Sequence, residues 1–418
     1  MKQVTTSLVG IASTLYCLLP MAYAATSESQ TDLAAQLAEL TAKVNELQQR
    51  PKAPSLEFDG RIQLDYNAFN GAYNANENGA SGSDLFPRRV RFAVDSTLGD
   101  WDHTLLLEFA EGTAEIVMAR IRYAGFANGL RVQFGKLRED ISLNALTSSN
   151  NLSLVERSSL ADTFSPYFRW GASAYQYHKD TGLRWALGVH KNDAFGANGE
   201  NENGRLALAY TGRLTWSTLT ENHVLHLGAW HSERDMGGNA LSPALARGEV
   251  RETAVRLINY SAGGNTAALD SLSQSGVEFA YQRQNLTLEA EYARRELNTV
   301  NHTDPLNNAT IDGYHVSLSY FPSGAVRPYS AGMATFGQPK DIAHSWEWVA
   351  RVSQLNASNQ NQGTDVTSYT LGANYYINPR IRLMANLIYS DVAGPGKQAL
   401  VGNEDNGTAI TGRLQYLF

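Results

Sequence analysis

The chain has 418 residues but a single cysteine, and only 18% of its residues are charged. One Cys17 excludes both a disulfide framework and a thiolate metal cluster. The low charge, set beside 10% aromatic residues, excludes a disordered tail protein. Acidic residues outnumber basic ones by 41 to 34, so no basic footprint for nucleic acid exists. Long apolar runs are missing too. No internal stretch approaches the roughly 18 apolar residues of a membrane-spanning helix, and mean hydropathy is -0.32. Two classes remain: a globular protein, or a membrane β-barrel whose alternation hides its oily face from an averaged hydropathy.

Catalytic signatures are equally sparse. Neither G-x-S-x-G nor H-E-x-x-H occurs, and Gly394-Pro395-Gly396-Lys397 lacks the spacing of a phosphate-binding loop. His223, His226 and His231 resemble a cluster, yet on a strand His223 and His226 point to opposite faces. They are read as surface or girdle histidines, with no metal or cofactor. Glu289 and Glu291 share a face and are read as wall salt bridges instead of an acid/base pair. No enzyme is expected.

What is present begins with an address. Lys2, an apolar stretch from Leu8 to Leu19, and Ala22-Tyr23-Ala24 read as a secretory signal peptide over residues 1–24. Cys17 leaves with it. From Thr31 to Arg50, Leu33, Leu37, Leu40, Val44 and Leu47 are spaced 4, 3, 4, 3, the seam of a short coiled coil. Residues 25–55 are therefore read as a periplasmic helix and linker, ended by Pro51.

The remainder, 56–418, reads as strands. Phe58, Gly60, Ile62, Leu64, Tyr66 and Ala68 alternate with Glu57, Asp59, Arg61, Gln63, Asp65 and Asn67. The same period of two returns along the chain. Tyr and Trp gather near strand ends, and short turns such as Leu98-Gly99-Asp100 and Asn378-Pro379-Arg380 alternate with long Asn/Gly/Ser loops. An even strand number is required if both ends lie in the periplasm. Assigning Val250–Tyr260 to a loop leaves sixteen antiparallel strands, enough for a water-filled lumen.

The stretches Gly60-Arg61-Ile62-Gln63-Leu64-Asp65-Tyr66, Arg88-Arg89-Val90-Arg91-Phe92, Leu146-Thr147-Ser148-Ser149 with Val155-Glu156-Arg157-Ser158, Ser319-Tyr320-Phe321-Pro322-Ser323-Gly324, and Leu371 to Pro379 stand in one order along the chain. In that order they resemble the phosphate-selective porins O and P of Gram-negative outer membranes. The resemblance implies an outer-membrane location, a homotrimer of 16-stranded barrels, and a third outer loop that folds inward. By strand count that loop is 137–166. In the family it carries lysines at the phosphate site. Here it offers only Arg138 and Arg157, with Asn150 and Asn151 after the LTSS stretch.

If each apolar face meets lipid, the lumen receives Arg61, Arg89, Arg91, Arg120, Arg122 and Arg131. Arg184, Arg205, Arg213, Arg295, Arg351, Arg382 and Arg413 join them, against a slightly smaller set of carboxylates. Arginine suits an anion path because its planar fork stays charged and donates in pairs to oxyanions. Pairing of many of these arginines with luminal carboxylates is the competing expectation. The reading is an outer-membrane porin passing small inorganic anions such as phosphate with weak selectivity, its outer surface meeting membrane lipid and lipopolysaccharide. A non-selective or cation-preferring porin, and a structural tether using the coiled coil, are the alternatives.

Overall fold

The computed structural model describes residues 35–43, 54–220, 223–339 and 342–418. The expected signal peptide lies outside them. So does most of the expected coiled coil, of which 35–43 is helical and exposed, with Lys43 and Glu39 paired one turn apart at 2.8 Å.

Among the described residues, sixteen antiparallel strands close into one barrel. Ser55–Phe69 pairs with Gly82–Leu98 on one side and with Asn406–Leu417 on the other, which leaves no free edge. Alternation decides which face is which. Ile62, Leu64 and Tyr66 are 44%, 39% and 46% exposed on the outside, whereas Gln63 and Asp65 are buried at 0% and 1% on the inside. Such an inverted pattern suits a wall with hydrocarbon outside and polar groups within. Val250–Tyr260 is loop, as the strand count requires; it contributes only Ile258–Asn259 to a small ribbon with Ala244–Ala246.

Two departures from a regular barrel shape the lumen. Between Gln63 and Leu64 the pairing register skips, so that Gln63 faces Arg89 while Leu64 faces Pro87. Arg88 is the extra residue of this bulge. Proline cannot donate to the ladder and is tolerated at such interruptions. Both Arg88 and Arg89 consequently turn inward, where strict alternation would allow only one.

The second departure lies at the end of the barrel where Ser55 and Phe418 sit. Turns there are short, as at Gly99 and at Asn378, whose side chain accepts from the amides of Arg380 and Ile381 at 2.8 and 2.9 Å. The connection from Ala309–Tyr320 to Ser345–Asn356 is the exception. It turns up into the barrel and forms a ribbon of Tyr329–Ser330 and Thr335–Phe336. Phe336 is buried against Leu143, Val224 and Ala280.

Candidate functional site

The loop between Arg131–Arg138 and Phe168–His178 folds into the lumen and carries two short helices, Leu143–Leu146 and Ser159–Phe164. Ser142 and Ser158 cap them by accepting from the amides of Ala145 and Ala161. Carboxylates and guanidinium groups of the wall hold this loop. Glu291 accepts from the amides of Leu143 and Asn144 at 3.0 and 2.7 Å. Arg382 donates to the carbonyls of Leu152 and Asn150, and Arg327, on the inturned segment, donates to that of Asn151.

Glu156 is the strongest anchor. It accepts from Arg88 through both oxygens at 2.6 and 3.1 Å and from Arg413 at 3.1 Å, while Arg413 also grips Asp65. Burial pushes the Glu156 carboxyl up, but Arg88, Arg251 and Arg413 outweigh it and hold the group well below the usual carboxylate range. Glu139 follows the same balance: burial raises it, and Arg234, bound through two bonds of 2.8 and 2.9 Å, brings it below its ordinary value.

The arginines expected to line the pore fall into two groups. Arg91 pairs with Glu108 at 2.6 Å, and Arg122 pairs with Asp102 while donating to Tyr175. Arg184, Arg213, Arg351 and Arg413 likewise hold carboxylates. The second group has none. Arg61 donates to Asn150 and Ser148, Arg89 to Gln63, and Arg120 to Thr104. Arg138 donates to the carbonyls of Ala145 and Leu146, and Arg157 to those of Asn144 and Thr147. Arg131 opens its strand and has no side-chain hydrogen bond or ion pair among the described residues. Arg205 is not in the wall at all. The strand expected from it starts at Leu208, and Arg205 stands exposed in the preceding loop.

Between the inward loop and the wall lies a cavity of about 250 Å³. Four of its lining residues are Arg61, Arg120, Arg138 and Arg184; the one carboxylate is Asp140, which Arg184 holds at 2.8 Å. Gln133, Ser148, Thr335 and Tyr175 add polar groups, while Leu106, Met118, Phe168 and Met333 make the remainder oily. An unpaired guanidinium in such a low-dielectric setting attracts anions far more strongly than in bulk water.

A profile of the family described as phosphate-selective porin O and P matches residues 56–418. The chain belongs to this family. Porin O of Pseudomonas aeruginosa is 25% identical over 406 residues, covering 87% of this chain and 88% of that one. Among solved structures, the anion-selective porin of Comamonas acidovorans superposes with a TM-score of 0.57 at 12% identity, over 88% of this chain and 100% of that one. Pseudomonas putida OprB gives 0.55 at 13% identity, over 91% and 97%. These two likenesses speak to the fold. As a family member with this closed barrel, the protein is an outer-membrane porin of a Gram-negative bacterium, a channel and not an enzyme.

Several luminal groups of this porin escaped the sequence reading. Arg88 was hidden by the bulge, with Pro87 as its one visible sign. Arg251 lies in the outer loop 236–268, where no periodicity marks a facing; its guanidinium comes within 3.9 Å of Glu156. His226 is a correction: it is fully buried inside the barrel, bonded to Tyr329 at 2.6 Å and to Glu278 at 3.0 Å, and is not a surface or girdle residue. Glu289 does form the expected salt bridge, with Arg327 at 2.7 Å. Glu291 instead caps the helix of the inward loop and meets His315.

Proposed function

We propose that this porin passes small inorganic oxyanions, phosphate among them, by diffusion through the arginine-lined cavity. The observation that carries this reading is the cavity's charge: three guanidinium groups without a carboxylate, Arg61, Arg120 and Arg138, and a fourth whose acid is already matched. Arg89 and Arg131, likewise without a carboxylate, extend the basic wall, whereas Arg91 and Arg122 are matched by Glu108 and Asp102; Arg157 holds the loop that narrows it. Porin O's family description and the anion selectivity named for the Comamonas protein point the same way.

Selectivity in this reading is weak. The two loop arginines spend their donors on loop carbonyls, and a neutral Asn150 stands opposite Arg61. No lysine lies in 137–166. Phosphate therefore meets positive potential more than a fitted set of donors.

A homotrimer is part of the proposal. The strands Trp101–Glu108, Glu115–Tyr123 and Arg131–Arg138 have 8, 9 and 8 residues. Tilted by about 45°, eight residues rise roughly 19 Å, short of the ~25 Å apolar band. A neighbouring copy would cover what this low wall leaves exposed, and OmpT of Vibrio cholerae, with a TM-score of 0.54, is solved in a trimer form.

Phosphate added to a bilayer containing the purified porin should lower its chloride current, because the two anions share one path. A chloride current indifferent to phosphate contradicts the oxyanion reading.

A further inference from the structure

Charge accounts for only half of the cavity between the inward loop and the wall. On the strand pair Trp101–Glu108 and Glu115–Tyr123, successive luminal cross-strand partners from the outer side inward are Leu106 with Met118, Thr104 with Arg120, and Asp102 with Arg122. The last two pairs are polar, as a wet wall requires. The first is oily. It stands next along the wall from Arg120, whose guanidinium has only Thr104 as partner, at 2.8 Å.

Two further elements bring apolar groups to the same space. Leu146 closes the first helix of the inward loop; its carbonyl accepts from Arg138 at 2.8 Å, and the Arg138 guanidinium lies 4.7 Å from the centre of the Phe168 ring. Met333 comes from the inturned segment. Arg184 and Arg213 donate to the carbonyls of Gly332 and Ala334, on either side of it, at 3.0 and 3.2 Å, and so fix the backbone that presents it. Met333 is 43% exposed, while Met118, Leu146 and Phe168 are half-buried. Wall, inward loop and inturned segment thus each set an accessible oily group beside a guanidinium, and all of them border one cavity.

A bare phosphate gains nothing from this oily surface. Water held against it is unfavourable, and a ligand with an apolar body displaces that water. Two thioethers and a phenyl ring suit an aromatic body, because methionine packs adaptably and its sulfur gains from contact with a ring. At about 250 Å³ the cavity lies below the roughly 300–1,000 Å³ of drug-sized sites, so the body it fits is a single ring. The planar fork of arginine matches a carboxylate head.

We infer that this cavity binds single-ring aromatic carboxylates, the ring against Met118 and Met333 and the carboxylate toward Arg120. The inference rests on the anion path proposed above and adds to it an organic class of permeant, selected by the oily half of the cavity.

The test compares benzoate with acetate, which carries the same head without the ring, and with phosphate. Each is added to a bilayer containing the full-length porin, and the concentration that halves the chloride current is read. Wild type should be blocked by several-fold less benzoate than acetate. Met333→Ser should bring the two concentrations together, and Met333→Leu, still oily, should restore most of the difference. Leu206→Ser, which removes an exposed oily residue of an outer loop, should keep the wild-type ratio. Equal block by benzoate and acetate in wild type, or a ratio that Met333→Ser leaves intact, overturns the inference. Phosphate block accompanied by equal benzoate and acetate block overturns this inference alone; a chloride current indifferent to all three anions overturns the anion path with it.

Discussion

Arg61 reaches from the barrel wall to the amide oxygen of Asn150 on the inward loop. Its partner is neutral, so the guanidinium keeps its whole charge toward the lumen. Asn150→Asp would put a carboxylate in that position. A unit charge pair at about 4 Å interacts by about 4 kcal/mol at an effective dielectric of about 20, and pore water removes part of this. Even ~1.4 kcal/mol is a tenfold effect, so the anion-to-cation permeability ratio should fall by about that factor. Asn150→Lys should raise it, read in the same bilayer recording.

Arg120 borders the cavity with only Thr104 as partner, while Arg205 stands exposed in a loop outside it. Arg120→Ala should weaken phosphate's block of the chloride current by roughly tenfold, and Arg205→Ala should leave it unchanged. Equal effects of the two would remove Arg120 from the path. Arg120→Lys should recover only part of the block, since an ammonium keeps the charge but loses the planar fork.

Glu156 ties the inward loop to Arg88 and Arg413. Glu156→Gln leaves both guanidinium groups without that charge and should destabilise the seated loop by roughly 3–5 kcal/mol. Hydrogen exchange across 139–167 measures it, with faster exchange expected there than in the strands. Acid should act the same way. The folded carboxyl titrates far below its ordinary 4.5, so its contribution is fully present above that value and is lost only as pH falls beneath it. Loop exchange should therefore be insensitive to this group between pH 5 and 8 and rise under more acidic conditions.

The inturned segment is fastened by Arg327 to Glu289 and by Arg184 and Arg213 to the carbonyls of Gly332 and Ala334. Met333 and Thr335 from this segment border the cavity. Deleting 325–337 should widen the path and raise single-channel conductance by roughly two- to threefold. Unchanged conductance would mean that the ribbon does not obstruct flow.

The barrel was legible because a wall between hydrocarbon and water leaves a period of two in every strand; Phe58 to Ala68 shows it without interruption. The inward loop was legible from strand parity and from its LTSS and ERS stretches. What failed did so for local reasons. A bulge at Pro87 breaks the period, so Arg88 is missing from the luminal arginines that alternation identifies. Loop arginines such as Arg251 have no period to read. Arg138 and Arg157 looked like free pore charges, yet their donors are committed to carbonyls of their own loop, a consequence of long-range folding that spacing does not reveal. His226 was misplaced because an inturned segment brings Tyr329 to it from more than a hundred residues away.

The central claim is that unmatched guanidinium groups on the β-barrel's wet face make the path anion-preferring. It is tested most directly by the zero-current potential of the purified porin in a bilayer separating two concentrations of potassium chloride. The account predicts a potential of the sign set by chloride, shifting toward zero in the Arg61→Ala, Arg120→Ala double variant. A potential of the sign set by potassium, or a chloride preference that the double variant leaves intact, would contradict it.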